Sequence, residues 1–389
     1  MSLPYVKIKF ANGAIGGLEP MDDGVCALLM EGLTAVTDAN TNEVKFAIGT
    51  AYRLTKLADI DALGVTGGNS DPNKALYEAV RDFYREAAAG SKLWIMGLDT
   101  TGPNTIASNL EAMQQAARGE IRIAVCRVRE QAAAEDDNEA IGITGLAAAL
   151  QKAAEDITEG QKAPLMVIVP GDPDDDDDLS TGSWNRVCVV MGDGNMDCYL
   201  AGRLASIPVQ RSAGRVRDGA IYPTTITFDG APLTNTVSET LNKLGYIVPR
   251  TFVGRAGYFW SDDKMAVVVS DDYALIPRRR VIDKAARVAY TAMLNYVNEE
   301  IPVTAEGKIT APMCKAIEAS VRSAIVAQMT DEGNLATDTS DPNDVGCTVY
   351  VDPDQNILAT SELLVQLRVR PYGYAKYIEV NLGFETGSN

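Results

Sequence analysis

The stretch PRRRVIDKAARVAYTAMLNYVNEEI, residues 277–301, places Val281, Ala285, Val288, Ala289, Ala292 and Tyr296 on one side at helical spacing. On the other side Asp283 and Arg287 are spaced to pair across one turn. The periodicity predicts one long helix. A second helix is predicted to start at Thr310, a good N-cap, to tolerate Pro312 in its first turn, and to stop by Gly333. VGCTVYV follows, then a DPDQN turn, then a strand in which Leu363, Val365, Leu367 and Val369 alternate with Gln366, Arg368 and Arg370. Helix, helix, strand, strand reads as an α+β unit over residues 271–370.

Beyond that unit the chain alternates again. Tyr374, Lys376, Ile378, Val380, Leu382 and Phe384 fall on one side of an extended segment set off by Pro371 and Gly373. This strand, residues 371–389, must find a sheet. The N-terminus mirrors it: Val6, Ile8 and Phe10 alternate with lysines, and Gly13, Gly16 and Gly17 then loosen the backbone, so residues 1–20 read as a second arm.

Between the first arm and the α+β unit, residues 21–270 read as an α/β body. Strand-like runs (GVCALLMEG, KLWIMGL, EIRIAVCRV) alternate with helix-like stretches such as DPNKALYEAVRDFYREAAAG. In that helix Asp71 is the predicted N-cap, Pro72 takes the first helical position, and Leu76, Val80 and Phe83 form the apolar stripe. A further helix near residues 144–157, a buried strand APLMVIVP and a strand in NRVCVVMGDG continue the pattern. The acidic loop GDPDDDDDLSTGSW, residues 171–184, interrupts it, because five consecutive aspartates repel one another and stay in solvent.

Composition removes whole classes of function. The 389 residues contain no histidine, which excludes His-dependent triads and His-ligated metals. A formal charge of −18 disfavours general nucleic-acid binding. No run is long and apolar enough to span a bilayer, and the first residues lack the apolar centre of a signal peptide, so cytoplasmic synthesis is expected. The six cysteines are scattered without a C-x-x-C pair and read as reduced, mostly buried thiols.

Catalytic templates fail at named residues. Asp193, Asn195 and Asp197 have calcium-loop spacing, but Cys198 and Leu204 occupy the positions that need glycine and a bidentate glutamate. Ser212 in QRSAG lacks both the first glycine of a nucleophile elbow and a histidine. No phosphate-cradling glycine loop occurs. The basic cluster Arg278, Arg279, Arg280 and Lys284 opposes the dipole at a helix start, and is read either as a solvated corner or as a contact with an acidic partner.

The C-terminal third resembles contractile tail sheath proteins of bacteriophages and related injection systems. The resemblance rests on the Arg-led helix ending in NYVNEEI, the paired strands that follow it, and a terminal strand with Arg368, Pro371, Ala375, Ile378, Val380, Leu382 and Phe384 in the family's positions. YLAGRLA, residues 199–205, is compatible with the family's Ala-Gly-x-x-Ala segment.

That resemblance implies a sheath-like body with a C-terminal helix-helix-strand-strand domain and extended strand arms. It implies a structural protomer that polymerises helically around an inner tube and contracts. Val6, Ile8, Phe10, Tyr374, Ile378, Val380, Leu382 and Phe384 would meet neighbouring subunits, with Gly13, Gly16, Gly17 and Gly373 as hinges. Arg278, Arg279, Arg280 and Lys284 become a tube or intersubunit contact. Partners would be copies of the chain, a tube protein, a baseplate and a tail terminator, with no cofactor, catalysis, nucleic acid or membrane insertion. The location would be the bacterial host cytoplasm during assembly and then the virion tail or injection particle. Two rivals remain from the residues alone: a carboxylate- or lysine-dependent α/β enzyme whose aspartate loop binds a divalent metal, and a binding module whose terminal strands pair internally.

Overall fold

The computed structural model of the chain describes residues 23–98, 106–128 and 142–384. The predicted N-terminal arm, with Val6, Ile8, Phe10, Gly13, Gly16 and Gly17, lies outside the described residues.

The body is built on strands β1 (Cys26–Met30) and β2 (Tyr52–Leu54), helix α1 (Lys74–Glu86), strand β3 (Leu93–Gly97), helix α2 (Ile106–Ala116) and strand β4 (Ile123–Arg127). Helix α3 (Ile143–Gln161), strands β5 (Met166–Pro170) and β6 (Val187–Val190) and helix α4 (Met196–Ser206) complete it. Among the described residues these strands form one six-stranded sheet in the order β2-β3-β1-β4-β5-β6. All neighbours are parallel except β2 with β3; Cys26 faces Leu93 on one side and Ile123 on the other. Strands buried on both faces need continuous apolar runs, which CALLM, IAVCR and MVIVP supply. Helix α1 packs on α4, and α2 packs on α3. Strand order and helix pairing are those of a doubly wound arrangement.

The acidic loop is the link between β5 and β6, a parallel connection that holds a 3-10 turn at Leu179–Thr181 in place of an α-helix. Leu179 is fully buried and pins its far end, while Asp172, Asp174 and Asp176–Asp178 are exposed. All six cysteines are buried.

Helix α1 starts later than its sequence suggests. Asp71 spends its carboxylate on the Asn73 amide at 2.8 Å and the Thr66 hydroxyl at 3.0 Å. Asn73, just ahead of the helix, is fully buried and ties down Thr34 through both its oxygen and its nitrogen. The DP pair therefore shapes a turn, and the helix begins at Lys74.

In the C-terminal part come α5 (Ile276–Met293), α6 (Ala311–Ile325), and the antiparallel pair β7 (Cys347–Val351) and β8 (Val365–Val369). Val281, Ala285 and Val288 of α5 pack with Val321 and Ile325 of α6, and β7 lies across α6. Thr310 precedes α6 but its hydroxyl makes no capping bond. The expected pairing of Asp283 with Arg287 does not occur. Asp283 takes Arg279 one turn earlier at 2.7 Å and Arg186 of the body at 3.1 Å, while Arg287 turns to Asp23. Both α5 side chains face the body, where burial makes a cross-domain partner worth more than a neighbour on an exposed helix face.

Candidate assembly interface

Among the described residues, strand β8 leaves one of its edges unpaired. The Arg370 amide donates to Gly346 O at 2.8 Å, so these opposed residues form a hydrogen-bonded pair. In an antiparallel ladder such pairs alternate. Gln366 and Arg368 therefore point their backbone groups at β7, and Val365, Leu367 and Val369 point theirs outward. The other edge is partly closed, because the Val351 amide donates to Glu318 Oε1 at 3.1 Å.

The arm continues from this strand without pairing to it. Among the described residues, 371–384 join no strand. Ile378 is 79% exposed, Val380 77%, Leu382 96% and Phe384 102%. Four large apolar side chains in one alternating row, all in water, leave roughly 6–12 kcal/mol of burial unrealised at ~1.5–3 kcal/mol each.

Tyr374 departs from its expected role. It sits at the root of the arm, half-buried, and its hydroxyl donates to Gln210 O of the same chain at 2.6 Å. Burial, with Asp263 nearby, pushes its phenol upward. Lys376 is ion-paired to Asp262, and its Nζ lies 3.5 Å from Asp263 Oδ1. Asp263 is buried, and among the described residues neither carboxylate oxygen meets a donor in full hydrogen-bond geometry, Ser212 being its nearest hydroxyl neighbour. Burial pushes this carboxyl up to about 6, the Lys376 ammonium pulls it down, and Asp262 raises it again. The root overlies a cleft of about 750 Å³ whose lining includes Gln210, Arg250, Phe252, Trp260 and Asp262.

The basic corner lies inside the molecule. Arg279, Arg280 and Lys284 are buried and only Arg278 is partly exposed. Arg280 donates to the carbonyls of Leu204 at 2.9 Å and Ile207 at 3.3 Å. Lys284 pairs with Asp23 and with Glu332, both at 2.6 Å. The solvated-corner reading is thus corrected for these three residues. The ground for a tube contact, a charge at the helix start without an opposite, is gone because Asp23, Asp283 and Glu332 supply it within the chain.

The rejected motifs stay apart. Asp193 accepts from the amides of Asp229 and Gly230 at 3.0 Å, Asn195 donates to Asp82 at 2.8 Å, and Asp197 takes Arg127 Nε at 2.7 Å. Among the described residues no three acidic or cysteine side chains converge on a metal position. Ser212 Oγ accepts from the Gly214 amide at 3.2 Å. Sequence reading missed Gln210, Asp262 and Asp263 as partners of the arm. The available signal was that the row's first two members, Tyr374 and Lys376, are polar-tipped while the last four are not.

Residues 3–264 match the N-terminal domain model of the DUF2586 family, and residues 272–388 match its C-terminal domain model. A Haemophilus phage HP1 protein, provisionally named a tail sheath protein, is 26% identical over 217 residues, covering 52% of this chain and 54% of that protein. The chain is thus aligned to about half the length of this curated relative. Among solved structures, a chain of the anti-feeding prophage baseplate superposes with a TM-score of 0.62 at 16% identity, covering 99% of this chain and 100% of that one. A chain of the contracted sheath complex of PVC, an extracellular contractile injection system, gives 0.62 at 13% identity with 98% of each covered. The chain belongs to the DUF2586 family and has the fold seen in these contractile injection assemblies.

Proposed function

We propose that this chain is the structural subunit of a contractile sheath, polymerising helically around an inner tube by donating its terminal arms to neighbours. One observation carries the reading: a single chain with this fold holds both an unpaired strand edge, at Val365, Leu367 and Val369, and an unpaired apolar strand, Ile378 to Phe384. Each is what the other lacks. Pairing in trans is β-augmentation, and because donor and acceptor are different segments of the chain it can propagate head to tail.

In this reading the N-terminal arm, with Val6, Ile8 and Phe10, is donated likewise. The arms tether subunits while the rigid bodies rotate and repack during contraction. A tube protein, a baseplate and a terminator would be the other partners. The assembly would form in the bacterial cytoplasm and act in the virion tail or injection particle. The subunit carries out no catalytic step.

Deleting residues 378–389 tests this, because it removes the apolar row and spares Tyr374 and Lys376. The truncated chain should be folded and monomeric by sedimentation, and negative-stain images with tube protein should show no sheath. Normal sheaths from the truncated chain would refute donation of this arm.

A further inference from the structure

Helix α5 ends in an apolar stripe left in water. Tyr290, Leu294 and Val297 are exposed, at spacings of four and three along α5 and the 3-10 turn Leu294–Tyr296 that continues it. That spacing keeps them on one side of the helix. The opposite side, with Val281, Ala285, Val288 and Ala292, is buried together with Val321 and Ile325 of α6.

The strand pair sets this stripe beside an open edge. Helix α6 lies against β7 and reaches that strand's far edge, where Glu318 takes the Val351 amide. Helix α5 lies on α6, and its end, through Met293 and Tyr296, packs on the same apolar cluster as Leu363 and Val365 on the β8 side. The two layers are therefore offset: β7 sits over α6, and the place beyond β8 falls over α5.

The outward backbone groups of β8 belong to Val365, Leu367 and Val369, whose side chains pack on the clusters that these helices form. Residues of an added strand that lie opposite them point to the same face. One of the arm's two rows suits that face. Ile378, Val380, Leu382 and Phe384 are apolar and exposed, whereas the alternate row holds Glu379 and Asn381. With the apolar row toward α5, Glu379 and Asn381 come onto the outer face with Gln366 and Arg368, all four in solvent and Glu379 opposite in charge to Arg368. A slip of one residue would set Glu379 against the stripe and leave four large apolar side chains in water, so the register is strongly selected.

We infer that Tyr290, Leu294 and Val297 form the floor of the site that receives the C-terminal arm of a second copy, whose apolar row lies across them while its backbone fills the outer edge of β8. This rests on the strand-donation reading and adds which face of the arm turns inward and which helix it covers. The occupant is an arm of this chain because its two rows supply both complements, apolar toward α5 and acidic toward Arg368.

The test is cross-linking of the full chain assembled around tube protein. Chains carrying Leu382→Cys are mixed with chains carrying either Val297→Cys or Arg368→Cys and treated with a short bis-maleimide; the six native cysteines are buried. Leu382→Cys should join Val297→Cys between chains in assembled sheath and not in dilute subunit, and should not join Arg368→Cys. Tyr290→Ser, Leu294→Ser and Val297→Ser combined should leave the thermal melt unchanged, because all three are exposed, and should raise the subunit concentration at which sheath forms by at least about tenfold. Cross-links to Arg368→Cys in place of Val297→Cys, or assembly of the triple variant at the wild-type concentration, would overturn the floor and leave donation intact. Capture of Val297→Cys by tube protein would assign the stripe to the tube and overturn the floor as well. The absence of any cross-link from Leu382→Cys to either face in assembled sheath would overturn donation to β8, and the floor with it.

Discussion

Lys284 Nζ lies 2.6 Å from Asp23 Oδ2, joining helix α5 to the first described residue of the chain. Arg287, one turn further along α5, takes the other oxygen of the same carboxylate. Lys284 and Arg287 are both buried, so Asp23 is shared by two cations that have left water, with Glu332 supplying the second negative charge beside Lys284. Breaking a buried pair by removing one partner costs about 3–5 kcal/mol. Asp23→Asn should therefore lower unfolding free energy in denaturant titration by that order, and Lys284→Glu should misfold at every salt concentration. A change below about 0.5 kcal/mol for Asp23→Asn would show that the pair is not buried as described.

Gly202 sits in α4 where a Cβ would come within 2.4 Å of Phe83 O at the end of α1. The absence of a side chain is what lets the two helices approach so closely. Gly202→Val should cost roughly 1–3 kcal/mol or more through overpacking. A thermal melt unchanged from wild type would contradict the packing.

This glycine shows what was legible in the sequence and what was not. YLAGRLA stood out as a segment, and alternation of apolar runs located the strands of the sheet, because burial on both faces leaves a direct trace in composition. The arm's period of two was equally plain. Side-chain partners far apart in sequence left no trace. Nothing near Lys284 announces Asp23, 261 positions earlier, so a neutralised interior network read as a charged surface corner. Asp262 and Asp263 likewise appear in YFWSDD as ordinary loop acids, and only the fold brings Lys376 to them.

The aspartate run should separate into two kinds of residue. Asp178 accepts from the Ser180 amide at 3.0 Å and caps the turn that buries Leu179, whereas the side chains of Asp174, Asp176 and Asp177 are exposed. Replacing Asp174, Asp176 and Asp177 by Gly and Ser should shift stability by no more than about 0.5 kcal/mol and leave assembly intact. Asp178→Ala should cost about 1 kcal/mol, the usual loss of a capping side chain. Equal effects from the two changes would contradict this division.

Acid should reveal Asp263. Burial raises its carboxyl from 3.8 to about 6, against the pull of Lys376, with Asp262, Ser212 and Tyr374 as its other close polar neighbours. Between about pH 6 and pH 4 the folded chain holds a proton here that the unfolded chain has released. Folding is therefore favoured progressively as pH falls through that window, and above pH 6 the charged form costs about 3 kcal/mol relative to an unshifted carboxyl. Carboxylates held low by hydrogen bonds and cations, such as Asp38 at about 2, act in the opposite sense and lose their contribution only at lower pH. Asp263→Asn removes this titration while leaving Asp262 to hold Lys376. The variant should be more stable than wild type at pH 7.5, by an amount that shrinks as pH falls to about 4, when unfolding free energies are measured on dilute subunit. Wild-type and variant curves that stay parallel from pH 7.5 to 4 would show that burial does not raise the Asp263 carboxyl.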